Sequence, residues 1–191
     1  MYYTDWKEIP TNHYNVIYAD CPWPYKDKLK GHSFALQYET QSKSWLQDLP
    51  VKSISTKDSL LLLWATSPNL PLALEVMQEW GFRFKTIAFV WSKLTKHGKR
   101  VSNLGRWTMG NVELVLLATR GKPQRLSKNI KQFLEAERTV HSRKPDVIRQ
   151  RIEQLVGGPY IELFARGGTE GWDQFGNEPE WFPTGTINSS I

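Results

Sequence analysis

Short apolar runs at residues 16–19, 60–65 and 160–164 each read as a buried strand, and segments with helical spacing separate them. Strands that are apolar throughout are covered on both faces, as in parallel sheets layered with helices. Residues 84–91 and 112–119 read as two further strands. One helix starts at Asn69 and Pro71, places Leu70, Ala73, Leu74, Met77 and Trp80 at helical spacing, and stops at Gly81. A second opens at Pro145 and Asp146, presents Ile148, Ile152 and Leu155, and ends at Gly157, Gly158 and Pro159. Residues 21–43, 93–108 and 120–136 read as loops, and 172–191 as a tail without a regular pattern. This alternation predicts an α/β layered fold with a largely parallel sheet, in which ligands bind beyond the carboxyl ends of the strands. No repeat or linker divides the chain, so residues 1–191 read as one domain.

Composition removes several classes. The apolar runs are strand-sized, far below the roughly 18–20 residues that span a bilayer, and the N-terminus lacks an apolar signal core. The reading is therefore no membrane and a cytoplasmic location. The single cysteine, Cys21, excludes an internal disulfide and a multi-thiolate site, and the histidines at 13, 32, 97 and 141 lack ligand spacing. No metal is expected. Charge is informative through its distribution: residues 81–134 hold twelve basic side chains against one acidic residue, Glu113. Trp91, Trp107 and Phe133 are interleaved with them. Cations hold phosphates while aromatics stack on bases, so a nucleic-acid partner is expected, with a merely solvated basic surface as the plain alternative. The candidate contacts in the two basic loops are Lys93, Lys96, Lys99, Arg100, Arg106, Arg120 and Lys122.

The sharpest local signal is Asp20-Cys21-Pro22-Trp23, directly after the first strand. An aromatic amine is a poor nucleophile because its lone pair is delocalised into the ring. A carboxylate and a neighbouring peptide carbonyl can accept both N–H bonds, pull the nitrogen toward tetrahedral geometry and free that lone pair. An aromatic side chain can fix the plane of the base. The plain alternative is an aspartate capping a turn, with the tryptophan in the core.

This tetrapeptide resembles the D-P-P-W signature of the MT-A70 family of adenine-N(6) methyltransferases. The resemblance runs from about residue 14 to 182. It includes Leu62-Leu63-Trp64-Ala65-Thr66, Trp80-Gly81-Phe82 and Val90-Trp91-Ser92-Lys93. It continues through Gly110 with Glu113, Arg120-Gly121-Lys122-Pro123 and Ser142-Arg143-Lys144-Pro145-Asp146. It closes with residues 161–166, Trp172 and Gly176-Asn177-Glu178.

What the resemblance implies is specific. The fold would be a Rossmann-like, S-adenosylmethionine-dependent methyltransferase in circularly permuted order, catalytic strand first and cofactor strand last. Asp20, Cys21, Pro22 and Trp23 would be catalytic. S-adenosyl-L-methionine would be held by Asp20, Lys144, Glu162, Arg166, Thr169, Asn177 and Glu178, with Glu162 equally readable as a structural acid beneath the site. Tyr38 would lie over the target base. The substrate would be adenine in DNA or RNA, DNA being favoured because small prokaryotic and phage-like members often act there. A homodimer is compatible with the pattern. Cys21 stands where the family has its first proline; the carbonyl survives, and the fixed φ of proline is lost. A covalent role for Cys21 is disfavoured, because cytosine-C5 enzymes place proline before cysteine and this chain reverses the order. Two other readings remain: a catalytically silent nucleic-acid-binding member supporting a partner, and methylation of a free nucleotide or small amine.

Overall fold

A computed structural model describes residues 1–24, 40–105, 107–139, 143–165 and 167–176. Its centre is β2 (Tyr14–Ala19), whose side chains from Val16 to Ala19 are wholly buried. On one side β2 pairs in parallel with β3 (Ser55–Ala65), and on the other with β7 (Tyr160–Leu163). Among the described residues the sheet has eight strands in the order β1-β8-β7-β2-β3-β5-β4-β6. The remaining strands are β1 (Tyr2–Tyr3), β4 (Arg83–Leu94), β5 (Val112–Arg120), β6 (Phe133–Glu137) and β8 (Trp172–Phe175). Only β5 runs antiparallel to both its neighbours, so the sheet is largely parallel, as the alternation predicted.

Helices α1 (Lys43–Gln47), α2 (Val51–Ile54) and α3 (Leu70–Glu79) cover one face. There Ala73, Met77 and Trp80 meet Ile17, Leu61 and Leu63. Helix α4 (Val147–Leu155) covers the other, where Ile148 and Ile152 meet Val16, Tyr18, Leu62 and Trp64. Each fully buried side chain of this size is worth about 1.5–3 kcal/mol. Helix α3 ends because Gly81 takes φ 81°, a left-handed turn that a Cβ would disfavour. Among the described residues, no helix is long and apolar enough to cross a membrane.

Three sequence readings change. The expected loop at 120–136 contains most of β6, in which Leu134 and Ala136 point inward while Phe133, Glu135 and Glu137 are exposed. Its five-residue alternation is too brief to stand out beside the basic run. The tail holds β8, a four-residue strand whose Trp172 is buried against Tyr160 and Tyr18. The strand read at 84–91 is β4, which extends to Leu94, so the basic loop begins later than residue 93.

The chain order fixes where a site can form. From β2 the chain moves outward through β3 and on to β4, β5 and β6, then returns to place β7 on the opposite side of β2. The strand order reverses at β2 and β7, and such a reversal opens a crevice at the strands' carboxyl ends. Ala19 and Leu163 are register partners there, so Asp20 and Phe164 flank that crevice.

Candidate active site

Asp20 emerges from the end of β2 and Lys144 from just before α4, on the same face of the sheet. The Lys144 ammonium lies 3.0 Å from Asp20 Oδ2 and 3.1 Å from Glu113 Oε2. Lys93 binds the other oxygen of Glu113. The result is a chain of alternating charge, Lys93, Glu113, Lys144 and Asp20, contributed by β4, β5, the approach to α4 and β2. Indoles form its floor: Lys144 sits 5.0 Å from the Trp64 ring centre and Lys93 5.2 Å from that of Trp91. A cation over an indole face gains further electrostatic stabilisation.

Burial works against the charge on Lys144, but Asp20 and Glu113 outweigh it and hold the ammonium above its ordinary pKa. Burial likewise opposes ionisation of Glu113, and Lys144 and Lys93 outweigh it, so this carboxyl lies below its ordinary 4.5. The folded value is below the unfolded one, so the pairing contributes stability above pH 4.5 that is lost as pH falls through the depressed value. Urea unfolding across pH 3–7 is expected to show this loss, and Glu113→Gln to flatten it. An acid limb that is the same in wild type and variant would disprove the assignment.

The tetrapeptide is held from behind. Trp23 Nε1 donates to the Trp64 carbonyl at 3.1 Å, and Trp64 Nε1 donates to the Tyr18 hydroxyl at 2.6 Å. The Trp23 amide donates to the Cys21 carbonyl at 2.8 Å, and Pro22 accepts from the Gln41 amide at 3.0 Å. Cys21 is buried, and burial followed by the nearby Asp20 charge pushes its thiol well up. A thiol held protonated is a poor nucleophile, and Cys21 packs in the core. Trp23 is 4% exposed, so most of its ring serves the core.

The other candidates separate into groups. Glu162 is buried in a two-pronged pair with Arg149, both contacts at 2.8 Å. Thr169 sits in the turn entering β8, its carbonyl accepting from the Trp172 amide at 3.2 Å. Trp172 pairs with Tyr160 at the start of β7, so this turn lies at the end of the sheet away from Asp20. Lys96, Lys99 and Arg100 are exposed on the segment that follows β4, at the Asp20 end. Arg120 and Lys122 are at the other end. Arg120 donates to the Lys52 carbonyl and the Ser55 hydroxyl, both at 2.8 Å, and the Lys122 amide donates to Asp58 at 2.7 Å. A cavity of about 300 Å³ lined by Leu60, Lys85, Leu117, Lys122, Arg125 and Leu155 opens beside them. Tyr38, Arg106, Arg166, Asn177 and Glu178 lie outside the described residues.

Glu113 is the site residue that charge counting passed over. Its signal was its isolation: one acid among twelve cations is costly to bury unless cations surround it.

Comparison with known proteins places the chain among methyltransferases. The family model described as MT-A70 matches residues 14–178. The chain is 34% identical to the Type II methyltransferase M.MunI of a Mycoplasma, over 90% of this chain and 80% of that protein. It is 29% identical to the N(6)-adenosine-methyltransferase MT-A70-like protein of Arabidopsis thaliana, over 86% of this chain but 24% of that protein. With the N(6)-adenine-specific methyltransferase METTL4 of Mus musculus it shares 26% identity, over 86% of this chain and 37% of its relative.

Proposed function

The chain belongs to the MT-A70 family, and on that premise we propose that it transfers a methyl group from S-adenosylmethionine to N(6) of adenine in a nucleic acid. The carrying observation is Asp20 at the strand-order reversal, within 3.0 Å of Lys144. DNA is the favoured substrate. A relative of which the chain covers 80% is named a Type II methyltransferase. Two relatives named RNA methyltransferases, MTA1 of Pyricularia oryzae and of Cryphonectria parasitica, are matched over 46% and 51% of their lengths.

The chemistry of the donor set fits this methyl donor. A lysine ammonium has three N–H bonds, and Asp20 and Glu113 take two, leaving one for the donor's carboxylate. The N-terminus of α4 beside Lys144 also favours an anion. Arg166, Asn177 and Glu178 are the further candidates by family position. When bound, S-adenosylmethionine supplies a methyl group already activated as a sulfonium.

The chain's own residues then have defined tasks. Lys144 occupies Asp20 Oδ2, which leaves Oδ1 to accept an N–H of the adenine amine. The Cys21 carbonyl keeps a second lone pair beside the Trp23 amide for the other N–H. Two fixed acceptors draw the nitrogen out of conjugation, and Asp20 can take the proton released. Lys144 fixes the carboxylate's orientation, which keeps it from rotating away from the amine.

Labelled-methyl transfer to matched DNA and RNA oligonucleotides, followed by digestion and identification of N(6)-methyladenine, tests the proposal. Protein that binds oligonucleotides and the donor yet transfers no label would favour the silent member. Lys144→Gln is expected to weaken donor binding at least tenfold by calorimetry, because it removes a charge-assisted contact worth about 1.5–3 kcal/mol. Donor affinity within twofold of wild type would place the donor's carboxylate elsewhere.

A further inference from the structure

The segment after β4 forms a finger whose tip the proposed chemistry does not use. Its root is tied to the charge chain: the Lys93 amide donates to the Asn111 carbonyl at 3.1 Å, and the Val101 amide to the Lys93 carbonyl at 2.8 Å. A short turn closes residues 95–99, and Arg100 is anchored by Glu135 at 2.8 Å. Asn103 and Gly110 then exchange paired backbone hydrogen bonds of 2.9 and 2.8 Å, closing the tip. The backbone folds so tightly that a Cβ on Gly105 would meet the Thr108 carbonyl oxygen at 2.2 Å. This tip presents Leu104, 92% exposed, Trp107, 98% exposed, and Met109, 55% exposed. A chain of this size has little reason to hold an indole and two aliphatic side chains together in water unless a partner covers them.

Charge chooses between partners. Residues 95–111 contain Lys96, Lys99, Arg100 and Arg106 and no acid. In a symmetric contact with a second copy the same patch would face itself, cation to cation, on a chain of net charge +6. A polyanion whose bases offer flat apolar faces satisfies both the cations and the indole.

We propose that Trp107 stacks within a nucleic-acid duplex beside the target adenine and holds the extruded base out of its helix. This rests on the adenine-methylation reading and adds the step that makes a paired adenine accessible. Extrusion costs a few kcal/mol of lost stacking and pairing, and an intercalated ring replaces part of that stacking. From the closed Asn103–Gly110 pair, four residues of chain reach at most about 14 Å, a few base steps. The finger springs from Lys93, two ion pairs away from Lys144 and three from Asp20.

The experiment compares wild type, Trp107→Ala and Trp107→Phe on one mapped target in three forms: duplex, single strand, and duplex with an abasic site opposite the adenine. Trp107→Ala should lose about 5- to 100-fold in kcat/KM on the intact duplex, the scale of one stacked base. It should stay within twofold on the single strand and recover on the abasic duplex, while Trp107→Phe keeps most of the duplex rate. The side chain is solvent-exposed, so folding should be unaffected. Equal losses on duplex and single strand, or none on duplex, would overturn the proposal. So would a change of oligomeric state in Trp107→Ala by sedimentation, which would mark the tip as a self-association surface. Wild-type protein that methylates adenine in none of the three forms overturns the catalytic reading itself, a result separable from every outcome above.

Discussion

Replacing Asp20 with Asn is expected to lower methyl transfer by about 10²–10³-fold while leaving the fold and donor binding nearly unchanged. The magnitude is that of losing one preorganised, charged hydrogen-bond partner at a reacting centre. The amide keeps one oxygen, so an acceptor remains, but its charge and its capacity to take the amine proton are gone. Asp20 Oδ2 is 3.0 Å from Lys144, so the variant also leaves that ammonium with Glu113 as its remaining carboxylate partner. Lys144 is then more available to a donor's carboxylate, which is why donor affinity should hold within a few-fold. Single-turnover transfer from labelled donor, with calorimetry of donor binding alone, separates the two effects. A variant that turns over at more than a tenth of the wild-type rate would remove Asp20 from the chemistry. One that loses donor binding in step with rate would make it a cofactor ligand alone.

The parts of this site that the sequence made legible are those whose chemistry is local. Asp20 follows an apolar strand and stands two residues before a proline, and Lys144 precedes a helix, so each could be placed at a strand end or helix start from its neighbours alone. Glu113 was hidden because the charge count treats residues 81–134 as surface, whereas β5 alternates and turns Glu113, Val115 and Leu117 to one face. Arg120 and Lys122 were grouped with Lys93 because all belong to one basic stretch. The intervening strand is antiparallel to its neighbours, and its nine residues carry the chain about 27 Å to the far end of the sheet. Strand direction is a property of the whole sheet, and composition does not report it. The same limit explains β8: four residues become a strand only because β7 and β1 flank them.

The second large effect concerns stability. Glu162→Gln should cost about 3 kcal/mol, lowering the unfolding midpoint by about 6–12 °C, because it leaves the Arg149 guanidinium in the core with Asp146, 2.8 Å away and largely exposed, as its remaining carboxylate partner. The Arg149 side chain is 10% exposed and that of Glu162 7%. Arg149 also stands 5.8 Å from the centre of the Tyr18 ring. Burial raises the Glu162 pKa, and Arg149, although it opposes this, does not fully offset it. Desolvation is thus a large part of this pair's energetics, and removing both charges should be far milder than removing one. The double variant Arg149→Met with Glu162→Leu is expected to recover most of the lost stability. Asp146 would keep its 3.3 Å contact with Arg143 at the surface. Urea unfolding of the two single variants and the double variant completes the cycle. The cycle also decides what Glu162 does. An acid that holds the fold gives large single losses, recovery in the double, and donor affinity that follows stability. An acid that binds the donor directly gives a double variant that is stable yet has lost the donor.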